Sequence, residues 1–123
     1  MLFRLDFQSG IPIYKQIRDQ VVLAVADGQL LPGERLPTTR ALAEDAGVNV
    51  MTVSKAYQLL KSEGYLVTDR RNGAVVCAPP GCKGLSDLQL SQLRLLAGEA
   101  KAAGLSQEEF LAQCQAAFAE MEG

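Results

Sequence analysis

The stretch Thr38 to Lys61, TTRALAEDAGVNVMTVSKAYQLLK, constrains this chain more than any other. It reads as two short helices joined by a tight turn. Gly47 stands where the chain must reverse, and glycine takes φ > 0 there without steric cost. Ala43, one helical turn earlier, is small enough for a second helix to cross close by. Val53, beyond the turn, can fill the space between the two helices, and Ala46 and Val48 complete the set. A small residue, a glycine and a β-branched residue at these offsets follow the packing logic of a helix-turn-helix.

The second of these helices has two faces. Val53, Ala56, Tyr57 and Leu60 recur at i, i+3, i+4 and i+7 and form one apolar stripe. Met51, Thr52, Ser54, Lys55, Gln58 and Lys61 lie off it and look outward. Asn49 is the expected N-cap, because its side-chain oxygen can accept from the free amides of the first turn. Short polar and cationic side chains near a helix N-terminus suit insertion into a DNA major groove. The same pattern also suits an ordinary amphipathic helix with a solvated face, so the flanking chain has to decide.

At 123 residues the chain suits one domain, or a small domain with an appendage. It can bury a modest core but not a large enzyme cleft. No apolar run approaches the ~20 residues of a membrane span, so no membrane partner is expected. Arg4 and Asp6 interrupt the N-terminal apolar residues, which argues against a secretory signal. Cys77, Cys82 and Cys114 are odd in number, scattered, and unaccompanied by any histidine. That argues against a zinc site or a disulfide framework and makes reduced thiols in the cytoplasm the default. With no histidine, no phosphate-cradling glycine loop and no carboxylate pair in an apolar setting, the chain is not expected to be an enzyme. Nor does it call for a cofactor.

A net charge of −2 sits badly with a DNA partner until it is divided along the chain. Residues 1–78 carry nine Lys/Arg and eight Asp/Glu, whereas residues 85–123 carry two and six. The acidity belongs to the C-terminal part. The first part is nearly neutral, so DNA affinity has to come from where its cations sit rather than from a global field.

Residues 1–10 read as a short extended arm ending at Gly10, and Pro12 suits the first turn of a helix. Ile13, Ile17, Val21, Ala24 and Val25 give a stripe through Gly28, widened by Val22 and Leu23. Leu31-Pro32-Gly33 breaks this helix. Leu36-Pro37 leads into the helix-turn-helix, with Thr38 or Thr39 as its N-cap. Arg40 then falls in a first turn, where a cation opposes the helix dipole. A cation so placed often has an external anion; a solvated surface arginine is the alternative, and this neighbourhood favours a DNA contact. Gly64 ends the second helix as a C-cap. Tyr65–Thr68 and Ala74–Cys77 are β-rich runs around Asp69-Arg70-Arg71-Asn72-Gly73, and Asn-Gly is a strong hairpin signal. A hairpin directly after a recognition helix has the layout of a wing. Its tip candidates for phosphates or a minor groove are Arg70, Arg71 and Gly73.

Pro79-Pro80-Gly81 starts a linker. Ser86 with Gln89, and Ser106 with Glu109, read as capping boxes that open helices of roughly 87–103 and 107–121, divided by Gly104. The last helix carries Phe110, Leu111, Cys114, Ala117, Phe118 and Met121 on one stripe. The one before it is apolar on two sides, with Leu88, Leu95 and Leu96 on one and Leu90, Leu93, Ala97 and Ala100 on the other. Two short helices cannot bury that much apolar surface alone. They need their own helical domain, a second copy of the chain, or both, and for the second copy Leu88, Leu95, Leu96, Phe110, Leu111, Cys114, Phe118 and Met121 are the dimerisation candidates.

The motifs IPIYKQI at Ile11–Ile17, GQLLPGERLPTTRALAEDAGV at Gly28–Val48, TVSKAYQLLKSEGYL at Thr52–Leu66 and RRNGAVV at Arg70–Val76 resemble, in order and spacing, the GntR family of bacterial winged-helix regulators. The short two-helix tail resembles the YtrA-like branch, in which the tail is associated with dimerisation. The resemblance implies that Arg40 corresponds to a DNA-contacting arginine, that Thr52 and Lys55 fall on recognition-helix positions, and that Gly73 matches the wing-tip glycine. Many relatives of this branch read Asn-Pro-Asn-Thr where this chain reads Asn49-Val50-Met51-Thr52, and relatives in other branches often carry arginine at the positions of Val50 and Ser54. Met51 lacks the hydrogen bonds of asparagine and suits a thymine methyl instead.

The expected fold is therefore mainly α with a small β-hairpin wing (α+β). A winged helix-turn-helix over 1–78 is followed by a linker over 79–85 and a two-helix dimerisation tail over 86–123. The expected function is a sequence-specific DNA-binding transcriptional regulator, a repressor acting as a homodimer on a pseudo-palindromic operator. Its DNA-binding set is Thr39, Arg40, Asn49, Met51, Thr52, Ser54, Lys55, Arg70, Arg71 and Gly73. The alternative is a winged helix used for protein–protein contact without DNA, which the near-neutral first part favours. A cavity between paired tails leaves room for a small-molecule effector of unspecified chemistry.

Overall fold

A computed structural model describes residues 3–71, 73–77, 79, 81 and 84–121. Five helices and two strands follow in the order α1 (Ile13–Ala26), α2 (Thr39–Ala46), α3 (Val50–Ser62), β1 (Leu66–Asp69), β2 (Gly73–Val76), α4 (Asp87–Ala102) and α5 (Gln107–Ala119). The fold is mainly α with a small β wing, as the sequence implies. The chain divides into two compact units, Met1–Pro80 and Gly81–Met121.

In the first unit, α3 is the central element. Its stripe of Val53, Ala56, Tyr57 and Leu60 is buried, three of the four completely. Ile17, Val21 and Ala24 of α1 and Leu42 and Ala43 of α2 meet it, and Leu30, Leu36, Leu66 and Val76 close the core. The stripe read for α1 holds, with Ile13, Val22 and Val25 half-buried against the same core. Leu23 differs: it is half exposed and takes no part in that core.

The caps are local, and the sequence placed most of them. Thr38 rather than Thr39 caps α2, its hydroxyl accepting from the Ala41 amide at 3.1 Å. Gly47 ends α2 in the left-handed region at φ 70°. Asn49 caps α3, its Oδ1 accepting from the Met51 amide at 2.7 Å. Glu63, not Gly64, is the C-cap of α3, and Gly64 follows at φ 93° as the reversal residue. Pro12 stands at the N-cap of α1 rather than inside its first turn, with extended ψ. The N-terminal arm is docked along α1. Gln20 clasps the Arg4 backbone and Gln16 the Asp6 and Ile11 backbone, while Phe3 and Leu5 pack on the core.

The hairpin runs antiparallel with Leu66 opposite Val76 and Asp69 opposite Gly73. The Asn72 half of the Asn-Gly signal, together with Cys82 and Lys83, lies outside the described residues. β2 also pairs on its other edge, which the sequence did not announce. Gly33 and Leu36 donate to the Val76 and Ala74 carbonyls, Val76 donates to Glu34, and Arg35 bridges Val75. A loop broken by Pro32 and Pro37 thus covers the free edge of the wing. Tyr57 fixes the end of that loop, its hydroxyl donating to the Pro37 carbonyl at 2.7 Å. Burial pushes the Tyr57 hydroxyl above its ordinary pKa, so it stays a neutral donor. An Arg18–Glu63 pair of two hydrogen bonds, 2.7 and 2.9 Å, ties α1 to the end of α3. The hydrogen bond to Glu63 is the main reason the guanidinium is held above its ordinary pKa.

The second unit is a helix pair. Ser86 and Gln89 form a full capping box at α4. At α5 the Ser106 hydroxyl accepts from the Glu109 amide, as expected. The Glu109 carboxylate, however, accepts from the Ser106 hydroxyl at 2.9 Å rather than from the Ser106 backbone amide, so the box is half made. No residue of α4 or α5 is buried. Ala97, Ala100, Leu105 and Phe110 approach each other at the elbow. Leu88, Leu95, Leu96, Leu111 and Phe118 stay more than half exposed. Cys77 and Cys114 are free thiols. Among the described residues no helix is long and apolar enough to cross a membrane.

Two substitutions test this architecture by urea denaturation. Tyr57→Phe removes only the bond to Pro37 and is expected to cost about 1 kcal/mol, since a partly buried carbonyl loses its donor. Asn49→Ala should cost about 1 kcal/mol as well, with hydrogen exchange accelerated at the first amides of α3.

Candidate nucleic-acid interface

Because the α3 stripe is buried, the opposite side of the helix must face out. Met51 is 75% exposed, Lys55, Gln58 and Lys61 are exposed, and Thr52 and Ser54 are half-buried at the margins. Asn49 is exposed just before them, and its carbonyl and side chain both serve the first turn of α3.

Two hollows flank this face. One, of about 430 Å³, lies between α3, the start of α2 and the hairpin, and is lined by Thr39, Ser54, Gln58, Lys61, Thr68 and Gly73 among others. Lys61 spans it, donating to the Thr68 hydroxyl at 3.0 Å and linking α3 to β1. The other is lined by Tyr14, Met51, Thr52, Ser54, Lys55 and Gln58, and there the Lys55 ammonium lies 4.1 Å from the centroid of the Tyr14 ring.

The predicted set is therefore gathered in two groups that share Ser54. Thr39 and Gly73 join it on the wing side, and Met51, Thr52 and Lys55 on the α1 side. Arg40, Asn49, Arg70 and Arg71 are exposed and line neither hollow. Arg40 stands in the first turn of α2, directly after Thr39. The hairpin turn is shaped by Asp69, whose carboxylate accepts from the Arg71 amide at 2.8 Å, and by Gly73 at φ 71°. A side chain at position 73 would meet open space, so the backbone angle alone demands glycine.

Reading the sequence singled out neither Tyr14 nor Thr68 and left Gln58 and Lys61 simply as outward residues. Tyr14 and Thr68 reach the face through tertiary contact, and no local periodicity marks them. A tyrosine one residue into α1, beside the helix-starting proline, is the only trace that the chain itself offers.

Residues 13–76 match the family described as bacterial regulatory proteins, gntR family. The chain is 39% identical over 75 residues to the HTH-type transcriptional repressor YtrA of Bacillus subtilis, covering 61% of this chain and 58% of that one. The chain spans about three fifths or less of the length of the first curated relatives that it matches. Among solved structures, YtrA from Sulfolobus acidocaldarius, a GntR-family transcription factor, aligns at 38% identity with a TM-score of 0.64. That alignment covers 83% of this chain and 99% of that one. The AraR DNA-binding domain, solved in complex with operator ORX1, aligns at 28% identity with a TM-score of 0.55, over 61% of this chain and 96% of that one. The curated relatives are named as transcriptional regulators, in keeping with the expectation that this chain is no enzyme. With the helix-turn-helix, the wing and the matched segment in one register, the chain belongs to the GntR family of bacterial regulatory proteins and is of the YtrA type.

Proposed function

We propose that this chain is a transcriptional repressor that binds a pseudo-palindromic operator as a homodimer. The DNA-binding part is residues 1–78, the linker 79–85 and the dimerisation tail 86–123. The observation that carries the reading is the outward side of α3. Its Ser54, Gln58 and Lys61 line a hollow shared with the start of α2 and the hairpin, and its exposed Met51 and Lys55 line a second hollow beside Tyr14. A helix so framed lies in a major groove while the hairpin tip reaches the neighbouring backbone. Met51, Thr52 and Ser54 lie against base edges, with the Met51 thioether stem suited to a thymine methyl. Arg40 and Lys55 anchor phosphates or a guanine, with Thr39 and Asn49 beside them. Arg70, Arg71 and Gly73 grip the backbone.

The exposure of large apolar side chains supports pairing through the tail. Leu88, Leu95, Leu96, Leu111 and Phe118 expose more apolar surface than a lone helix pair keeps in water, and a second copy offers the same surface in return. Phe110, Cys114 and Met121 complete the α5 side. The repressor and operator names of YtrA and AraR support the same reading.

Selection of bound sequences from a random DNA pool tests the function and returns the half-site spacing in the same experiment; no enriched motif would remove the reading in favour of protein–protein contact. On the selected operator, Arg40→Ala is expected to weaken binding by roughly 1–3 kcal/mol with relaxed specificity at one position. Unchanged affinity in a gel-shift titration would refute that role. Affinity should fall steeply with salt, because a few clustered cations displace counterions. Sedimentation showing a monomer at micromolar concentration would rule out the paired tail. A thermal-shift screen against metabolites reads out an effector, since a bound ligand raises the melting temperature by mass action.

A further inference from the structure

We infer that Tyr14, on α1, is a positioning residue of the DNA-reading surface: its ring holds the Lys55 ammonium in place, so that the first helix takes part in recognition. The inference rests on the operator-binding reading above and adds an element to it. Lys55 Nζ lies 4.1 Å from the Tyr14 ring centroid, well within the range in which a ring quadrupole attracts a cation. The ring is a fixed platform. Tyr14 is half-buried and packs against the core, on the helix whose Ile17 and Val21 are fully buried against α3.

The consequence concerns entropy. A lysine on an exposed helix face has a flexible four-carbon stem and samples many rotamers. Every contact made by its ammonium must first stop that motion. A cation seated on an aromatic face keeps its charge and still has N–H donors to give to an acidic oxygen. Tyr14 therefore lowers the ordering cost of a Lys55 contact without adding charge. The position is informative too. Lys55 lies one helical turn beyond Met51, and Tyr14, Met51, Thr52, Ser54, Lys55 and Gln58 line one hollow. The aromatic wall of that hollow comes from α1, so the direction of the Lys55 side chain is set from outside the helix-turn-helix.

The test uses the full chain and the operator selected from the random pool. Tyr14→Leu keeps an apolar side chain against the core but loses the ring face, and is expected to weaken operator binding roughly two- to fivefold per protomer. Tyr14→Phe keeps the ring and should bind within about twofold of the parent. Lys55→Met should lower the salt slope by about one per protomer, whereas Tyr14→Leu leaves that slope unchanged because no charge is removed. In the Lys55→Met background, Tyr14→Leu should have no further effect on affinity. In the free protein, the Lys55 side-chain methylene protons should show upfield ring-current shifts that Tyr14→Leu abolishes and Tyr14→Phe retains. That measurement stands even if one variant is poorly stable. Equal binding by the parent and Tyr14→Leu overturns the inference while leaving the operator reading intact. A loss that persists undiminished in the Lys55→Met background also overturns it, because Tyr14 would then act through stability alone. A parent protein that selects no operator overturns the functional reading and this inference together.

Discussion

The burial of one side of α3 is the constraint on which the rest of the first unit depends. Val53, Ala56 and Leu60 have no exposed surface, and Ile17 and Val21 of α1 share that condition. Each of the valine, leucine and isoleucine side chains contributes on the order of 1.5–3 kcal/mol by leaving water, so α3 cannot rotate about its axis without losing several of these contributions at once. Fixing the inner side fixes the outer side. Met51, Lys55 and Gln58 are exposed because Val53, Ala56, Tyr57 and Leu60 turn the other side of the helix into the core. A surface of this kind is specified by the core beneath it.

Three polar contacts carry that specification outward. Tyr57 extends the stripe to the Pro37 carbonyl and so sets where α2 begins. The loop before it pairs with β2 through Gly33, Glu34 and Leu36, covering an edge that would otherwise present unpaired amides and carbonyls. Lys61 reaches Thr68 on β1. The start of α2, the outer face of α3 and the hairpin are thus fastened to one helix from three sides. Rigid placement of this kind is what a recognition surface requires, since looseness in the supporting shell is lost as ordering cost on binding.

The helix pair Asp87–Ala102 and Gln107–Ala119 follows a different logic. Its caps are well formed, with Ser86 and Ser106 each serving a helix start, yet none of its residues is buried. Local signals make the helices, but no core holds them. Phe118 at 82% exposure and Leu88 at 69% are the opposite of what a self-sufficient unit does with large apolar residues. The pairing with a second copy proposed above answers that imbalance, and it divides the labour of the chain: a domain that packs on itself, and a tail whose apolar surface is turned outward.

Elements whose cause is local were legible in the sequence. The α3 stripe at i, i+3, i+4 and i+7, the reversal at Gly47, the Asn49 cap, the capping box at Ser86 and the hairpin around Gly73 each arise from side chains within a few residues of one another, and each is where periodicity and capping chemistry put it. The outward residues of α3 followed from the same periodicity. Tertiary structure alone decided the second edge of β2, the Tyr57 link to Pro37, the Arg18–Glu63 pair, and the seat of Lys55 on Tyr14. Those contacts join residues far apart in the chain, so they exist only once the core has closed and carry no period for a reader of the sequence to find. The choice between Thr38 and Thr39 as cap was settled by the same closure. Either option was chemically adequate, and packing determined which backbone was in place to use it.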